Sequence, residues 1–96
     1  MKQRALKCRV RPGMFADEWI AHFPTLSSDG EEHEAEAIVY SGSFVTVPDT
    51  REEQEALLRV YCMRESDSFV SVVLPQPTVE NGPCVAVRET ELTAVS

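Results

Sequence analysis

Short runs in which apolar and polar residues alternate, each closed by Pro, Gly, Asn or Asp, confine this chain to a small, mostly β domain. The clearest run is Leu6-Lys7-Cys8-Arg9-Val10-Arg11. Successive side chains of a pleated strand point to opposite faces, so Leu6, Cys8 and Val10 are expected to enter a core while Lys7, Arg9 and Arg11 line the outside. One strand thus supplies both a core wall and a charged stripe.

Arg11-Pro12-Gly13 predicts a tight type II turn, because Pro presets φ at its second position and Gly accepts positive φ at its third. Beyond it, Phe15, Trp19, Ala21 and Phe23 share one alternating face interrupted at Asp17, which fits a bulged strand or a loop leading into a shorter one. Residues 25–34 are polar and turn-rich and read as an exposed loop. Residues 35–40 and 44–48 read as strand on either side of Ser41-Gly42-Ser43, preferably one long strand bent at the glycine, with a hairpin as the alternative.

Residues 49–58 hold the one helix candidate. Thr50 and Glu53 have capping-box spacing, and Glu52 and Glu53 suit the positive end of a helix dipole, giving about two turns. Alternation resumes over residues 58–64, and a turn at 65–68 leads to Phe69-Val70-Ser71-Val72-Val73-Leu74, the most apolar run, expected near the sheet centre. Pro75-Gln76-Pro77 is expected to stop it. Asn81-Gly82-Pro83 predicts another turn, residues 84–88 a last short strand, and residues 89–96 a flexible polar tail.

Five or six short strands with one short helix predict a single mainly β domain over residues 1–96: a small, partly open barrel of SH3-like shape, or a sandwich. A shape imports no function. At 96 residues, 43% hydrophobic and 26% charged, the composition is that of an ordinary globular domain. No apolar run approaches the ~20 residues that span a bilayer, so no membrane partner is expected. The basic start runs into Lys7, Arg9 and Arg11 instead of an apolar stretch, so no secretory signal is expected and the cytoplasm is the default location. Three widely spaced cysteines, Cys8, Cys62 and Cys84, sit in apolar strand candidates and read as small core residues. A bridge such as Cys8–Cys62 requires adjacent strands and an oxidising compartment.

The net charge of −7 conceals an asymmetry: five of the nine basic residues precede position 12, where there is no acid, and the rest of the chain sets four basic residues against all sixteen acids. Such polarity favours an oriented partner or self-association, and equally a solvated strand face beside an acidic neighbour.

The chemistry-bearing residues form no recognisable constellation. Cys8, Cys62, Cys84, His22 and His33 lack both the close pairs of a zinc site and the setting of an activated thiol. Glu31, Glu32, Glu34 and Glu36 around His33 lack the spacing of a calcium loop, and the four glycines form no phosphate loop. No cofactor, metal or catalytic role is therefore assigned. The candidate binding residues are Lys7, Arg9 and Arg11, whose side chains project from one strand face within about 14 Å, together with Trp19, which serves as an interface anchor if exposed and otherwise packs with Phe15 and Phe23. The leading expectation is a non-enzymatic protein-interaction module binding another protein or itself. One alternative is a nucleic-acid or ribonucleoprotein accessory using the basic strand face; another is an acidic inhibitor of a basic protein.

Overall fold

The expected alternation appears strand by strand in the computed structural model, which describes residues 2–79 and 82–95, the side chain of Pro77 excepted. In β1 (Lys2–Pro12), Leu6, Cys8 and Val10 are buried; in β2 (Glu18–Leu26), Trp19, Ala21, Phe23 and Thr25 are buried. Five further strands follow: β3 (Glu32–Tyr40), β4 (Gln54–Glu65), β5 (Val70–Thr78), β6 (Gly82–Val87) and β7 (Leu92–Ala94). Single 3-10 turns occupy Ser41–Ser43 and Glu89–Glu91.

Strands β1, β2, β3, β5 and β4 pair antiparallel in that cyclic order and close a five-stranded barrel, with β6 and β7 as outer strands. Closure between β3 and β5 is short: Ala37 stands opposite Thr78, and the Val79 amide donates to the Glu36 carbonyl at 2.9 Å. The inward residues fill the barrel as a solid core. Trp19, Phe23, Leu6 and Leu58 are its largest members, joined by Val10, Val39, Val60, Val70, Val72 and Val87. Each such side chain stabilises the fold by roughly 1.5–3 kcal/mol through removal from water. Ala5 breaks the alternation, standing buried between Arg59 of β4 and Thr93 of β7.

Several expectations are corrected. The helix over residues 49–58 is absent: residues 45–53 form an irregular loop and β4 begins at Gln54. Ladder pairing from Lys2 opposite Cys62 to Val10 opposite Gln54 outweighs the local capping signal. The Gln54 Nε2 instead donates to the carbonyls of Thr50 and Glu52, at 2.9 and 3.1 Å. Residues 44–48 do not continue a curved β3; the 3-10 turn ends that strand, leaving a single bridge from Phe44 to Leu58.

No type II turn forms at Pro12-Gly13, since positive-φ glycine occurs at Gly30 and Gly82 alone among the described residues. The β1–β2 loop is longer, closed by the Gly13 amide on the Glu18 carbonyl at 2.8 Å. Gly13 is needed there for space: a Cβ would fall 2.7 Å from the Glu18 Cγ. Phe15 lies exposed at this tip and not on the face of Trp19.

The loop expected over residues 25–34 shrinks to a tight turn between Leu26 and Glu32, with Gly30 at φ 84°. β5 continues through Pro75 and Pro77, and its pairing with β6 breaks off between Val73 and Thr78. That gap accommodates residues lacking an amide donor. The expected tail instead holds a 3-10 turn and β7, which sends Leu92 into the core. Asn81 of the expected turn and Ser96 lie outside the described residues. Among the described residues no helix is long and apolar enough to cross a membrane.

Candidate functional site

Lys7, Arg9 and Arg11 share the outer face of β1, as their alternation demands. β4 places Leu57 opposite Lys7 and Glu55 opposite Arg9, while β2 places His22 opposite Arg9 and Ile20 opposite Arg11. The stripe is not a bare cationic surface. Arg9 Nη2 stands 3.4 Å from Glu53 Oε2, Arg11 Nη2 stands 3.8 Å from Glu36 Oε2, and Lys7 Nζ donates to the Thr90 carbonyl at 3.3 Å. Nearer the N-terminus, Arg4 is more enclosed and stands 2.7 Å from Glu89.

His22 extends this network across β2. Arg11 donates to His22 Nε2, which also stands 3.6 Å from Glu36 Oε2, and His22 Nδ1 faces Glu34 Oε1 at 3.6 Å. The outer surface of β1–β3 is therefore a lattice of both charge signs, and its exposed pairs are worth about 0–1 kcal/mol each.

Where β1 and β2 part, this lattice opens into a cleft of about 680 Å³. Their ladder ends at Arg9 opposite His22. β1 next pairs on that side with β7 at Leu6, and β2 with β6 at Leu26. Pro24, which lacks an amide hydrogen, lies within the diverging part of β2. Cys8, Phe23, Pro24, Ala56 and Leu57 form a largely apolar floor, and Lys7, Arg9 and His22 stand around it with Glu32, Glu34, Glu55 and Glu91. A volume of this size lies in the range of small-ligand and side-chain pockets.

Trp19 lies elsewhere. It is 2% exposed and packs edge-on against Phe44 with ring centroids 6.2 Å apart. The Arg51 guanidinium lies over it, 4.7 Å from the ring centroid, and donates to the carbonyls of Phe15, Ala16 and Glu18 at 3.1, 2.8 and 3.3 Å. Of the four residues singled out from the sequence, Lys7 and Arg9 reach the cleft, Arg11 borders it through His22, and Trp19 sits beneath the loops at one barrel end.

The thiols are three separate groups. Cys8 stands opposite Ala56 and Cys62 opposite Lys2 on the same ladder, six residues and so about 20 Å apart, beyond disulfide reach. Burial pushes the Cys8 thiol up to about 12, so it remains protonated at neutral pH, with its Sγ 3.5 Å from the Ala56 carbonyl. Burial also raises the Cys62 thiol, partly countered by Arg4. Cys84, expected in the core, is exposed on β6 because only Val85 and Val87 of that strand face inward. Among the described residues no three His, Cys, Asp or Glu side chains converge as a metal site would require.

The sequence reading missed Glu55, Leu57 and Glu91. Starting the alternation at Gln54 would have placed Glu55 and Leu57 on one outward face; nothing local links Glu91 to them. Comparison with protein-family models, with curated proteins and with solved structures gives no match.

Proposed function

We propose that the protein is a non-enzymatic interaction module, SH3-like in size and barrel shape, that receives a segment of a partner protein in the cleft between β1 and β2. The observation that carries this reading is the combination of an apolar floor with a charged rim where the β1–β2 ladder is interrupted. Apolar contact supplies affinity at the centre of an interface and polar contacts fix orientation at its rim. A cytoplasmic setting accords with three unpaired thiols.

Nucleic acid is the less favoured partner because Arg9 and Arg11 already face Glu53 and Glu36, and phosphate contacts would have to displace those carboxylates. The test is recovery of partners from host lysate at low and high salt, with and without nuclease, by wild type and by the K7E/R9E/R11E variant. A discrete protein recovered after nuclease treatment and at high salt supports the module. Recovery abolished by nuclease, by high salt and in the triple variant would overturn it in favour of nucleic acid.

A further inference from the structure

The cleft's charge and its floor point to different parts of one kind of side chain. Its rim sets four carboxylates, Glu32, Glu34, Glu55 and Glu91, against the two cations Lys7 and Arg9, with His22 beside them. Both cations are engaged already, Arg9 by Glu53 outside the cleft and Lys7 by the Thr90 carbonyl. Glu32 is held by Arg88 at 3.2 Å and Glu34 faces His22, but Glu55 and Glu91 form no ion pair with any described residue. The cleft thus has an unmet demand for positive charge above an apolar base.

Lysine and arginine satisfy both halves of that demand, since their methylene stems cover apolar surface while the charged head stays at the polar rim. An extended backbone suits the place as well. Between Arg9 and Leu6 on β1, and between His22 and Leu26 on β2, no cross-strand partner among the described residues occupies the edges that face each other. A strand-like segment running past those edges alternates its side chains, so every second one points at the floor. The chain's net charge of −7 draws such a segment in and repels an acidic one.

We propose that the occupant of the cleft is an extended basic segment of a partner protein, with a lysine or arginine stem seated on Pro24, Ala56 and Leu57 and its head between Glu55 and Glu91. This rests on the interaction-module reading and names the chemistry of its partner. The probe is a fluorescent alternating Lys/Val peptide of about nine residues, compared with its Glu/Val counterpart. Titration against wild type is set beside E55K/E91K and beside D17K/D67K, which makes the same change in net charge at exposed positions off the cleft. Amide NMR spectra check that each variant is folded.

Wild type is expected to bind the Lys/Val peptide and not the Glu/Val peptide. E55K/E91K is expected to lose at least about tenfold in affinity and D17K/D67K to stay within about twofold, because rim charge at the contact acts locally while distant exposed charge is screened. Equal loss in the two variants would show binding by net charge alone and overturn the assignment. So would preference for the Glu/Val peptide, or no binding of the Lys/Val peptide by folded wild type. A nuclease-resistant partner still recovered in that last case would leave the module standing and remove only the basic segment.

Discussion

The β1–β2 pair meets two different fates at its two ends. Toward Pro12 and Trp19 the ladder stays in register, and the loops beyond it are tied down by Arg51 and by the Ser41 amide, which donates to the Asp17 carbonyl at 2.9 Å. Toward Lys7 and Phe23 the strands separate, each taken up by an outer strand, and the partly exposed Pro24, Ala56 and Leu57 line the gap. One end gives a sealed aromatic core; the other leaves apolar surface with charge around it. The contrast separates residues that hold the barrel shut from residues free to meet a partner, although both sets draw on the same two strands.

Breaking the sealed end should have the largest effect. Trp19→Ala is expected to cost about 3–5 kcal/mol, since it removes the largest buried side chain and leaves Phe44 and Arg51 over a cavity; urea unfolding measures it, and a loss below about 1 kcal/mol would contradict the packing described. Arg51→Ala is expected to cost about 1–3 kcal/mol through three lost carbonyl contacts and the ring contact. Hydrogen exchange should then quicken in the 13–18 loop before it quickens elsewhere.

The buried thiol sharpens the comparison from the cleft side. Because folding raises the Cys8 thiol from 9.0 to about 12, the unfolded chain releases its proton first as pH rises. The contribution is fully present below about pH 9, amounts to a loss of about 1 kcal/mol by pH 10, and continues to fall toward pH 12. Urea midpoints at pH 7 and 10 should show this difference in wild type and a smaller one in Cys8→Ala. The rim should matter least: Arg9→Ala removes a pair whose side chains are 57% and 62% exposed, so a change within about 1 kcal/mol is expected in the same assay. A larger loss would make the rim part of the fold's support.

The sealed end and the cleft also differ in how readable they are from the sequence. Trp19, Ala21 and Phe23 announce their common face by alternation alone, and their burial follows from chemistry carried within one strand. The cleft depends on which strands lie beside β1, and three different strands do: β2, β4 and β7. β7 is only three residues long and follows polar residues, so no periodicity marks it. The Thr50–Glu53 spacing misleads for the opposite reason, being a sound local helix signal overridden by nine residue pairs between β1 and β4. Arg51 on Trp19 joins a loop to a strand far from it in the chain, a contact that charge and spacing leave unmarked.

The most direct test of the cleft as the working surface is amide NMR of the isotopically labelled protein titrated with the Lys/Val peptide. Shifts are expected to concentrate at Lys7, Cys8, Arg9, His22, Phe23 and residues 55–57, with the 13–18 and 41–53 loops nearly unmoved. Shifts centred on those loops, or spread evenly over the acidic surface, would contradict it.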